Sequence, residues 1–215
     1  MISDTVGSPA AGLAPRDLPV VTAPVRRPRR WAVAGAGLLA TAMFASTYFM
    51  QWWSFILYAP QYPAGLRLTV SLTGVSGDVD EVDRLNHYIG MASLTHAAPT
   101  ERALAGYGVA IVAAASLVLL LGAGRRLRWL AVAVGAAFPA LFIADSSYWL
   151  YRFGHHLNAH APLRLSPFTP EMFGNGTIGQ FMTFAKPEVG FWVACAATAL
   201  LAGAVRLRWS EDPVR

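Results

Sequence analysis

Four stretches of this chain are so continuously apolar that hydrocarbon, not water, is their natural surrounding. They cover residues 31–53, 104–123, 129–151 and 189–207. Crossing a bilayer takes about 20 helical residues, and each run is near that length. A backbone inside hydrocarbon finds no water to bond, so each run is expected to satisfy itself as an α-helix. Composition points the same way. Of 215 residues, 55% are hydrophobic and only 13% charged, where a soluble domain carries about 25% charged residues. The seven tryptophans (31, 52, 53, 129, 149, 192 and 209) sit near the ends of these runs, where an indole prefers the headgroup layer.

Arginine sets the expected orientation. Arg16, Arg26, Arg27, Arg29 and Arg30 precede the first run, Arg125, Arg126 and Arg128 separate the second and third, and Arg206, Arg208 and Arg215 follow the start of the last turn of the fourth or lie beyond it. These are eleven of the seventeen basic residues, and four crossings put all of them on one face. The positive-inside rule makes that face the cytoplasm. The net charge of +5 is therefore an orientation signal, and nucleic acid is not expected as a partner. RRPRR followed by an apolar run also suits a signal peptide cleaved after ATA at 40–42. The run continues to Trp53, however, so a retained anchor is expected.

The expected fold class is an all-α integral membrane protein with four transmembrane helices and a small extracytoplasmic cap. Residues 1–30 form a disordered cytoplasmic tail and 31–53 the first span. Residues 54–103 form the first outer loop, 104–123 the second span and 124–128 a cytoplasmic loop. Residues 129–151 form the third span, 152–188 the second outer loop, 189–207 the fourth span and 208–215 a cytoplasmic tail. The bilayer is then the first partner, and a bacterial inner membrane with both termini cytoplasmic is the expected location.

The outer loops carry the polar chemistry. LRLTVSLT, residues 66–73, alternates strictly, which predicts a half-buried strand, and Gly74 and Gly77 allow a turn. DVDEVDRLNHYIGM, residues 78–91, predicts a short amphipathic helix with Val82, Leu85 and Ile89 on one stripe and acids at its N-terminus. Residues 59–63, APQYP, read as an extended segment, and the segment from Pro162 to Gly179 as an irregular lid.

All five histidines (His87, His96, His155, His156 and His160) fall in these loops. His87 and Met91 stand four apart, and imidazole with thioether suits copper, above all Cu(I). The competing reading is ordinary: His87 hydrogen-bonds a neighbouring loop and Met91 packs on the membrane surface. GHHLNAH, residues 154–160, adds His155, His156 and His160 but lacks a high-specificity ligand pattern. If the third helix extends beyond the membrane, Asp145, Trp149, Arg152, His156 and His160 share one stripe. An acid within a span is costly, so Asp145 is either half of a structural ion pair with Arg152 or a relay beneath the histidines. The lone Cys195 permits no intrachain disulfide and reads as a small buried residue.

APQYPAGL (59–66), GDVDEVDRLNHYIGM (77–91), YRFGHHLN (151–158) and SPFTPEMFGNGTIGQF (166–181) resemble motifs of a group of small polytopic bacterial membrane proteins. That group is encoded beside nitrous oxide reductase and its copper-delivery proteins. The resemblance covers somewhat under half the chain and departs from the pattern at His156, where the group has Asn. It implies an accessory role in copper-centre assembly or in electron supply to a respiratory reductase. His87, Met91 and His155 carry over as ligands, and His156 and His160 do not. Extracytoplasmic copper proteins or the reductase are the implied partners. No catalytic turnover is assigned. Two other readings stand beside it: a quinone-interacting or electron-transfer subunit using Asp145, and a purely structural docking subunit.

Overall fold

The protein is described from a computed structural model that covers residues 30–119, 121 and 124–209. Of the expected tails 1–30 and 208–215, residues 1–29 and 210–215 lie outside the described residues. The chain begins with α1 (Arg30–Ser46), a 3-10 turn at Thr47–Phe49 and three strands, β1 (Gln51–Ala59), β2 (Tyr62–Ser71) and β3 (Gly74–Gly77). It continues with α2 (Val79–Ile89), α3 (Pro99–Ser116) with a 3-10 turn at Leu117–Leu119, and the 31-residue α4 (Arg125–His155). A hairpin, β4 (Gly174–Ile178) and β5 (Phe181–Pro187), leads into α5 (Val189–Trp209).

Helices α1, α3, α4 and α5 pack side by side. Thr41 Oγ1 donates to Ala113 O (3.3 Å) between α1 and α3, and Thr198 Oγ1 donates to Gly135 O (2.9 Å) between α5 and α4. At Gly135 a Cβ would lie 3.3 to 3.5 Å from Phe44, Leu201 and Thr198, so a small residue lets these helices approach closely. Among the described residues three helices are long and apolar enough to cross a membrane: Trp31–Phe49, Arg125–His155 and Val189–Leu207. This is a membrane protein.

Two parts of the expected fold class are corrected. The protein is not all-α: a five-stranded antiparallel sheet, in the order β3-β2-β1-β5-β4, caps one end of the helices. And among the described residues three helices, not the expected four, are long and apolar enough to cross a membrane. The helix built on the second apolar run starts five residues early, takes Glu101 and Arg102 into its first turn, and gives way to the 3-10 turn after Ser116.

The sheet escaped notice because its central strand does not alternate. QWWSFILYA is buried on both faces, from Trp52 through Ile56 to Leu57, and reads as the end of the first span. A short apolar run buried on both sides cannot be told from helix by period alone. The helix in fact stops at Ser46, and Trp52 occupies a register shift between β1 and β2, where its indole turns into the bundle. Trp53, Phe55 and Leu57 join Leu66, Leu68, Val82 and Ile178 in a second core beneath the sheet. Residues 59–63 are the tip of the β1–β2 hairpin, and the last part of the expected lid pairs as β4 and β5 through a turn at Gly179 (φ 58°).

Other expectations survive. The alternating segment is β2, with Leu66 and Leu68 buried and Arg67 exposed. The amphipathic helix is α2, with Val82 and Ile89 buried and Asp80 and Glu81 in its first turn. Gly74 and Gly77 bound β3 rather than the turn before it.

Candidate functional site

Helix α2 lies against the sheet because its apolar stripe faces the second core. Its end is fixed by Gly90, which adopts φ 77° and lets Met91 N donate to Asn86 O (2.8 Å). That turn separates the expected ligand pair. His87 stays on the exposed face of α2, in a shallow surface depression with Asp80, Asp83, Arg84 and Tyr88. Met91 falls past the helix and lines a different, apolar cavity.

The loop after Met91 is tied down by one carboxylate. Asp83 accepts from Ser93 Oγ, Leu94 N (2.7 Å), Thr95 N (3.3 Å) and Thr95 Oγ1 (2.8 Å). Partial burial pushes this carboxyl up, but the bonds from Ser93, Leu94 and Thr95 together hold it below the usual aspartate range. Arg102 closes the same loop from the far side, donating to Thr95 O (2.9 Å) and Leu94 O (3.1 Å). The result fixes the first turn of α3 and so the position of Glu101.

Under this loop lies a crevice of about 400 Å³ between the sheet, α2, α3 and α4. Its walls are mainly apolar, with Phe55, Leu68, Phe138, Phe142 and Phe153 among them. Five polar residues besides Arg102 break that surface: Ser71, Asn86, Glu101, Asp145 and Ser146. Trp149 Nε1 donates to Glu101 Oε1 over 3.4 Å, while Glu101 Oε2 is buried with no hydrogen-bond partner. Asn86 is 5% exposed, and its Nδ2 is likewise buried and unpartnered. Asp145 and Glu101 are near enough to feel each other's charge. Buried polar groups are nearly always bonded, so two orphans in one apolar cavity are a strong local anomaly.

Arg152 does not reach for Asp145. Its guanidinium donates to Tyr148 Oη (3.0 Å) and lies 5.5 Å from the Trp149 ring. Helix α4 runs through Gly154 to His155, so Asp145, Trp149 and Arg152 are helical, His156 is the cap and His160 lies beyond in a turn. His155 stacks on Tyr151 with centroids 3.9 Å apart, its Nδ1 3.0 Å from Tyr151 O. His160 N donates to Asn158 Oδ1 (2.9 Å), and His96 is exposed in the loop before α3. Among the described residues no three His, Cys, Asp or Glu side chains come together as a metal-ligand set.

The two outer segments do meet, through backbone. Asn158 N donates to Gly90 O (2.8 Å) and Leu163 N to Tyr88 O (2.9 Å), so LNHYIGM and GHHLNAH form one seam. Asp145 and Met91 stand out in the sequence by residue type and place; Asn86 and Glu101 do not. Their significance lies in burial without partners, which no one-dimensional pattern displays. Comparison with protein families and with curated proteins gives no match.

Proposed function

We propose that this protein sits in the bacterial inner membrane as a multi-pass protein, with the arginine end of its helices in the cytoplasm and the sheet outside. On this reading it holds a membrane-soluble ligand in the crevice beneath the cap. Support for the orientation comes from Arg125, Arg126 and Arg128 at the start of α4 and Arg206 and Arg208 at the end of α5, remote from the sheet. Support for the ligand comes from one observation: the buried, unpartnered Asn86 Nδ2 and Glu101 Oε2 on the wall of an apolar cavity. Leu104 and Leu141, which also line it, are 55% and 65% exposed, so the crevice has an open flank between α3 and α4. A ligand would enter from lipid there.

The test is the small-molecule content of protein purified in mild detergent, read by native mass spectrometry. Wild type is expected to carry a lipophile that Ala105→Phe, which fills the α3 wall, excludes. Identical small-molecule content in the two proteins would sink the reading.

A second reading keeps copper, favoured by the seam between the segments that resemble the copper-linked group. Met91 lines the crevice and His87 the outer surface depression, so this reading does not rest on a resident site made by that pair. The seam then serves as a docking surface for an extracytoplasmic copper protein or a respiratory reductase, with His87, His155, His156 and His160 at or near it. The isolated chain is expected to retain well under one copper per molecule after loading under reducing conditions. A stoichiometric copper content abolished by His87→Ala with Met91→Ala would instead establish a resident site.

A further inference from the structure

Resting on the crevice reading, we propose that its ligand is a neutral, quinol-type lipophile: an aromatic ring with hydroxyl groups and an apolar tail. Three features of the cavity select this class. The first is the pair of orphans. Glu101 Oε2 accepts and Asn86 Nδ2 donates; both atoms are buried without partners, on residues that line the cavity from α3 and from α2. A hydroxyl-bearing ring satisfies both, one oxygen donating its proton to Glu101 and an oxygen accepting from Asn86. A saturated acyl chain satisfies neither.

The second feature is charge. Glu101 and Asp145 both line the cavity, so a fatty-acid carboxylate or a phospholipid phosphate would meet two carboxylates. Arg102 also lines it and keeps its charge while donating to Thr95 O and Leu94 O, so the acids outnumber the base two to one. The third is the character of the walls. Trp53 and Phe55 stack with centroids 5.7 Å apart, Trp149 and Phe153 lie tilted at 5.6 Å, and all four line the cavity. Flat aromatic faces favour a ring over a chain. Phe138 and Gly108 line the cavity deeper between α4 and α3, where a tail would run. The inference concerns binding alone, and no electron transfer is assigned to this chain.

The experiment uses the full chain in mild detergent under anaerobic conditions. Three probes with similar tails are titrated while tryptophan emission is followed, since Trp53 and Trp149 line the cavity: a decyl-benzoquinol, decylbenzene and laurate. The quinol is expected to bind at least tenfold more tightly than either comparator. Glu101→Gln puts an N–H₂ donor in place of the Oε2 acceptor that the hydroxyl needs. Asn86→Leu removes the donor and keeps the branched shape of the side chain. Each is expected to weaken the quinol at least tenfold and leave decylbenzene unchanged. Equal binding of the three probes, or a quinol affinity indifferent to both substitutions, overturns the inference. If decylbenzene binds and Ala105→Phe blocks it while the quinol has no advantage, the crevice reading stands and this one falls. If no probe binds wild type, both fall.

Discussion

Gly154→Ala is expected to destabilise the protein by about 2–3 kcal/mol, through overpacking that only backbone movement can relieve. A Cβ at this position would lie 1.8 Å from Phe168 O and 2.8 Å from its carbonyl carbon. Phe168 N also donates to Gly154 O (3.1 Å), so the two backbones are in contact where the proline-rich segment crosses the end of α4. The sign of the effect is diagnostic. In an open helix interior Ala would stabilise by about 1 kcal/mol over Gly. Here the crowding term is larger and reversed. The displaced segment also holds Met172, whose carbonyl accepts from Trp53 Nε1 (2.7 Å), so strain at residue 154 reaches the wall of the crevice. Thermal unfolding in detergent should show a lowered Tm, and trypsin should cut faster after the exposed Arg164. A raised Tm with unchanged cleavage would mean that the segment does not dock there.

Trp52→Ala should cost more, about 3–5 kcal/mol, as a large buried aromatic lost from a packed site. Trp52 is 0% exposed. Its ring meets Phe138 at 5.2 Å, Phe142 at 4.8 Å and Phe191 at 6.4 Å, and its Nε1 donates to Thr47 O (3.0 Å). Gly190 leaves room for it: a Cβ there would lie 2.8 Å from the indole. One side chain thus joins β1, α4 and α5 where sheet and helices meet. Between helices in lipid such packing carries more of the stability than apolar burial does, because the unpacked helices still face hydrocarbon. Trp192→Ala, at a 59% exposed position on α5, is the matched control and should cost less than about 1 kcal/mol. Equal shifts in Tm for the two variants would contradict the central placement of Trp52.

The contrast between Trp52 and Trp192 also measures what was legible in the sequence. Both looked like members of an aromatic belt, since both lie at the edge of an apolar run. Trp192 remains exposed on its helix, whereas Trp52 is fully buried in the bundle core. Burial of a strand on both faces erases the alternation that would have revealed it, and β1 was absorbed into the first span. The strand β2 was legible because Arg67 and Thr69 interrupt its apolar face at every second residue. Helix α2 was legible because Val82, Leu85 and Ile89 repeat at helical spacing.

The candidate site was legible only in part. His87 and Met91 drew attention by residue type, but Gly90 turns the chain between them, and a left-handed glycine cannot be distinguished from an ordinary one by spacing alone. Asn86 and Glu101 drew little, because Asn and Glu are ordinary residues until their polar atoms are buried without partners.

Composition and period by themselves determined that the chain belongs in a membrane, where α4 and α5 run, and that α2 and β2 each have one buried face. These follow from local rules: hydrocarbon demands an apolar run of fixed length, and a half-buried element repeats at its own period. The sheet, the end of α1 at Ser46, the separation of His87 from Met91 and the crevice with its two orphaned polar atoms were decided by tertiary structure. Each depends on contacts between segments distant in sequence, such as β1 with β5 or Glu101 with Trp149. Neither pairing partner carries a local mark of the other.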